Sequence, residues 1–99
     1  MSEKKFRLWA SINSATPSAI RPVLERKIGS NGSIRQTSDG FEVTAEFKAE
    51  SARDLNRMLL TELRSVEKRT RIRSEWTYEG TVEKFFDYAL KQTIKISQK

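Results

Sequence analysis

Apolar residues recur at every second position from Lys5 to Ile12 and again from Phe41 to Lys48. A period of two commits both runs to strands of a sheet with one buried face and one wet face. In the first run Phe6, Leu8, Ala10 and Ile12 fall on one side, and Arg7, Trp9 and Ser11 on the other. In the second, Phe41, Val43, Ala45 and Phe47 alternate with Glu42, Thr44, Glu46 and Lys48.

Between and after these runs the period changes. Asn13 to Ser18 is rich in turn and cap residues, and Ile20, Leu24 and Ile28 then recur at helical spacing with Val23 beside them. Pro22 lacks an N–H and is awkward inside a helix. A start near Ser18 or Ala19 places it in the first turn; a start at Thr16-Pro17 implies a kink. Gly29 to Gly32 stops this helix. Ser33 to Thr37 reads as a short strand, and Asp39-Gly40 as a hairpin turn, because both residues tolerate positive φ. Ser51 to Asp54 resembles a capping box, followed by a helix to about Lys68. Leu55, Met58, Leu59, Leu63 and Val66 form its apolar stripe, with Leu60 to one side.

Thr70 to Tyr78 alternates once more, with Ile72, Ser74, Trp76 and Tyr78 set against Arg71, Arg73, Glu75 and Thr77, and reads as a fourth strand. Gly80-Thr81 is expected to open a last helix whose apolar face is Val82, Phe85, Phe86, Ala89 and Leu90. With 99 residues the chain fits one domain, residues 1–99. The expected fold class is α+β: a ferredoxin-like βαββαβ antiparallel sheet with helices on one face plus an extra C-terminal helix. The other sheet face is expected to carry Arg7, Trp9, Glu42, Thr44, Glu46, Arg71 and Arg73. The third helix would cover part of that face, extend the helix layer or dock on a partner.

The chain contains no cysteine and no histidine. That removes thiolate chemistry, disulfides, the usual zinc ligand sets and any nucleophile–His pair. The carboxylates Glu42, Glu46, Glu62, Glu67, Glu75 and Glu79 show no spacing that suggests an acid–base pair or an oxygen cage. The expectation is a protein that is not an enzyme and needs no cofactor or metal. A formal net charge of +6 favours an anionic partner, although ordinary solubility accounts for a charge of that size. No apolar run approaches the roughly 18 residues of a membrane span, and Met1 to Lys5 is polar, so no membrane association and a cytoplasmic location are expected.

Arg64, Lys68, Arg69, Arg71 and Arg73 stand against a single acid, Glu67, and are the candidate nucleic-acid contacts, since clustered cations neutralise phosphates. The plainer alternative is a helix C-terminus complemented by cations, followed by a solvated strand face. Trp9 sits on the polar strand face, where ferredoxin-like RNA binders stack bases. Glu42, Thr44 and Glu46 provide no second platform, and Asp39-Gly40-Phe41 has an acid where such binders carry a cation. The sequence therefore favours packing of Trp9 under the last helix or at a subunit contact. Phe85 and Phe86 read as core or as a partner-binding anchor.

The run from Phe41 to Val66 carries one resemblance. Lys48-Ala49-Glu50-Ser51 followed by Leu55, Leu59 and Leu63 is similar to the small dimerisation subunit of the KEOPS complex, which makes threonylcarbamoyl-adenosine in tRNA. The similarity extends over about residues 5–68, and the chain departs from it after Lys68. The resemblance implies a non-catalytic accessory subunit that dimerises through its sheet, packs its helices on a catalytic partner subunit and helps to hold tRNA. Met58 and Leu60 would then be contacts with that partner. The reading that follows is a homo- or hetero-dimeric accessory subunit for tRNA modification. A stand-alone ferredoxin-like RNA-binding domain is the main alternative. A small acylphosphatase-like enzyme is a further one, although Ser11 to Pro17 lacks the Gly-rich phosphate loop.

Overall fold

The computed structural model describes residues 3–95. The elements follow in the order β1 (Lys4–Asn13), α1 (Pro17–Ile28), β2 (Gly32–Thr37), β3 (Gly40–Ala49), α2 (Ala52–Val66), β4 (Arg71–Tyr78), β5 (Thr81–Phe86) and β6 (Ala89–Lys95). The strands form one six-stranded sheet in the order β2-β3-β1-β4-β5-β6. Every pair of neighbours is antiparallel.

The C-terminal segment corrects the expectation of a ferredoxin-like unit with a third helix. Where that helix was expected, the chain makes a β-hairpin that widens the sheet to six strands. Glu79 and Gly80 both take positive φ, 45° and 79°. They form the two-residue turn between Tyr78 and Thr81, and such mirror-image turns match the twist of the strands they join. Val82, Phe85 and Phe86 are spaced to suit a helix, but Thr81, Val82, Thr93 and Ile94 are β-branched and suit strands equally well. The free edge of β4 tips the balance, because another strand gives its backbone N–H and C=O groups a full row of partners.

One sheet face packs against both helices. Leu8, Ala10, Ile12, Phe41, Val43, Ile72, Trp76 and Phe85 meet Ile20, Leu24 and Ile28 of α1 and Leu55, Leu59, Leu60 and Leu63 of α2 in a single core. Each large side chain so buried contributes about 1.5–3 kcal/mol. α1 lies against α2, which explains why Leu60 is fully buried while Val66 is 48% exposed. The apolar stripe of α2 is thus turned toward α1 relative to the sequence expectation.

Local details also depart from the sequence reading. α1 starts at Pro17, so Pro22 lies inside it. α2 is capped as expected at its start, where the Ser51 hydroxyl accepts the Asp54 N–H at 3.1 Å. The β2–β3 turn is Ser38-Asp39, and Gly40 is already the first residue of β3. Gly40 has no positive φ; it is glycine because a Cβ there would lie 1.8 Å from the Ile12 carbonyl oxygen. No helix among the described residues is long and apolar enough to cross a membrane.

Candidate nucleic-acid interface on the uncovered sheet face

Strand register assigns the second face of the sheet. Residues directly opposite in antiparallel pairs share a face. Arg7 is flanked by Glu46 and Thr77, Trp9 by Thr44 and Glu75, and Ser11 by Glu42 and Arg73. Beyond β4, Arg73 faces Phe86 and Glu75 faces Lys84. Both helices pack on the opposite face, so these side chains meet solvent.

The carboxylates of this face are already engaged. Glu42 accepts the Trp9 Nε1–H on Oε2 at 2.8 Å, and its Oε1 is bound by the Arg35 guanidinium. Glu46 lies 4.0 Å from Lys5 Nζ and 3.7 Å from Arg7. Glu75 lies 3.7 Å from Lys84 Nζ. Arg73 has no carboxylate within ion-pair distance among the described residues. Lys5, Arg7, Arg35, Lys48, Arg73 and Lys84 therefore exceed the acids on this surface, and a positive field results.

The basic cluster read from the sequence is spread over three settings. Arg64, in the last turn of α2, donates from Nε to the Thr70 carbonyl at 2.9 Å and lies 3.4 Å from Asp87 Oδ1. Arg71 donates from Nε to Asp87 Oδ2 at 2.8 Å. Both are committed to holding the β5–β6 turn. Lys68 and Arg69 project from the exposed turn between α2 and β4, which the Thr70 N–H closes onto the Glu67 carbonyl at 3.1 Å. Only Arg73 of the five points to the uncovered face without a carboxylate partner.

The candidate partner contacts also separate. Leu60 is fully buried and Phe85 is 2% exposed; both belong to the core and are closed to a partner in this structure. Met58 is half-buried and packs against that core. Trp9 is half-buried on the uncovered face, and among the described residues no helix lies over it. Phe86, 38% exposed, shares that face, with the Arg71 guanidinium 4.9 Å from its ring centre. Sequence reasoning missed Asp87. It is distant in sequence from both arginines that it binds, and its only local signal was a turn-tolerant residue between Phe86 and Tyr88.

Surface clefts are shallow. One, about 560 Å³, lies between Lys5, Asn31, Glu46, Phe47 and Lys48, and its one carboxylate is the ion-paired Glu46. A depression of about 270 Å³ on β4–β6 is lined by Arg73, Lys84, Phe86, Lys91 and Gln92 among others. No group of three acidic residues able to hold a metal ion occurs among the described residues. The Thr16 hydroxyl and the Arg69 backbone N–H hold the Glu67 carboxyl low, and desolvation followed by the Glu79 charge pushes the Tyr78 phenol up.

No protein-family model, curated protein or solved structure matches the chain.

Proposed function

We propose that this protein is a non-catalytic accessory subunit that binds RNA, with tRNA modification as its setting. The observation that carries the reading is the uncovered sheet face. Its carboxylates are each bound to cations or an indole N–H of the same chain, and Arg73 is left to meet phosphate. Phosphate contacts supply most of the affinity of such proteins and set their orientation on the nucleic acid.

The tRNA setting rests on the similarity of residues 41–66 to the KEOPS dimerisation subunit, a stretch that forms β3 and α2. A role in assembly has separate support. Tyr88 and Leu90 are 45% and 42% exposed on the β5–β6 hairpin, and Leu90 lies opposite Phe85 on the helix side of the sheet. Exposed apolar residues grouped on one hairpin suit a protein partner, whether a catalytic subunit or a second copy.

The test is titration of labelled tRNA with the purified chain at stepped salt concentrations, with mass followed by light scattering. The expected result is binding that weakens steeply with salt, with a log–log slope that shrinks by about 1 in Arg73→Ala. Absence of tRNA binding at low salt would end the RNA reading. A dimer that binds no RNA would leave assembly alone as the function.

A further inference from the structure

We propose that the uncovered face is a platform for single-stranded RNA. One base stacks on the Trp9 indole, another reaches the Phe86 ring, and Arg73 meets the phosphate between them. This rests on the RNA-binding reading above and names its substrate class and site.

The geometry starts from the strand register. Trp9, Glu75 and Lys84 lie in one row across β1, β4 and β5. Ser11, Arg73 and Phe86 lie in the next. Trp9 and Phe86 are therefore two strand spacings and one two-residue step apart, a diagonal of roughly 12 Å. Arg73 sits between them on β4. Stacked neighbours in a duplex strand rise only about 3.4 Å, so the two rings cannot serve adjacent stacked bases. They suit a strand whose bases are splayed apart, which is the form of RNA that side chains read by stacking. A duplex hides its base faces, and the half-buried Trp9 ring and the exposed Phe86 ring would find nothing on it to stack against.

The indole is fixed in advance. Its Nε1–H is held by Glu42, and Glu42 is held in turn by Arg35. A ring already immobilised loses less entropy when a base lands on it. Glu42 thus serves as a positioning residue: the acid that weighs against stacking in the sequence is the group that orients the ring. Among the described residues no third helix covers Trp9, although that cover is one of the two packings that the sequence favours for it. Charge also selects the occupant. A second copy seated face to face would bring two cation-rich surfaces together, and interface cores are depleted of charged residues. A polyanion meets the same surface with matching charge.

The experiment compares a short single-stranded oligouridine with a hairpin duplex of similar length, titrated into the full chain. Trp9 fluorescence provides a direct reading, because the only other tryptophan, Trp76, is fully buried. The expected results are tighter binding of the single strand and quenching of emission on binding. Trp9→Phe should remove the quench and keep most of the affinity. Trp9→Ala should weaken single-strand binding about tenfold, in keeping with the loss of one stacked base. Arg73→Ala should weaken both RNAs and lower the salt slope. Circular dichroism and Trp76 emission report whether each variant is folded, and Trp9→Phe keeps the test open if Trp9→Ala is not. RNA binding with no quench and an unchanged affinity in Trp9→Ala would overturn the platform while leaving the RNA reading intact. No RNA binding by the wild-type chain would remove both. A wild-type dimer that Trp9→Ala converts to monomer would overturn the platform in favour of self-association through this face.

Discussion

Asn56, in α2, donates through Nδ2 to the backbone carbonyl of Asp87 at 2.8 Å, and this bond ties the helix layer to the last hairpin. The same side chain accepts on Oδ1 from the Ser74 hydroxyl at 2.6 Å and from the Trp76 Nε1–H at 3.3 Å. Asn56 is 1% exposed, and no buried side-chain polar atom among the described residues lacks a partner. Replacing it with leucine removes both functions and leaves the Asp87 carbonyl and part of the Ser74–Trp76 pair unsatisfied. Asn56→Leu should therefore cost about 2–4 kcal/mol of stability, measured by urea denaturation. Amides of β5 should exchange with solvent sooner than those of β1, since the hairpin loses its anchor while the central strands keep theirs. Equal loss of protection across the whole sheet would show that Asn56 supports the core in general and not the hairpin.

The turn that starts this hairpin is not optimal. Glu79 is a non-glycine residue at φ 45°, the left-handed region that asparagine tolerates better than glutamate. Asn-Gly is the favoured pair for a two-residue turn of this kind. Glu79→Asn should stabilise the protein by about 0.5–1 kcal/mol, read as a raised melting temperature. No change, or a loss, would mean that the backbone conformation at Glu79 does not limit the stability of this hairpin.

These two positions show which parts of the fold were legible. β1, β3 and α2 carry long uninterrupted patterns, and each forms close to where its period places it. The segment after Tyr78 was ambiguous. Val82, Phe85, Phe86, Ala89 and Leu90 satisfy a helical stripe, and only the open edge of β4, a tertiary fact, turns them into strands. The candidate site was legible in part for the same reason. Arg73 and Trp9 were assigned to the wet face by alternation alone. Arg64 and Arg71 looked free because the acid that binds them, Asp87, reaches them only once the hairpin folds back. Leu60 looked peripheral because the packing of α1 against α2 cannot be read from the period of α2 by itself.

The turn between α2 and β4 should make stability depend on pH in a way that can be assigned to one group. Glu67 accepts the Thr16 hydroxyl on Oε1 at 2.7 Å and the Arg69 backbone N–H on Oε2 at 3.1 Å, so the entry to α1 and the exit from α2 meet at one carboxylate. Both donors favour the ionised form, and the Arg69 charge adds to them, so the folded carboxyl titrates below its ordinary value. A group whose pKa is depressed by folding contributes stability that is fully present above its unfolded pKa and is lost as pH falls through its folded pKa. Stability of the wild-type chain should therefore decline on acidification across the carboxylate range. Glu67→Gln, which cannot ionise, should be less stable than wild type at neutral pH and should converge on it at acid pH. Thr16→Val keeps the carboxylate but removes its first donor, so the Glu67 titration followed by NMR should move back toward the ordinary value. A constant gap between wild type and Glu67→Gln at every pH would mean that shape and not charge fixes this turn, and the ionised hydrogen bond from Thr16 would then carry no part of the stability.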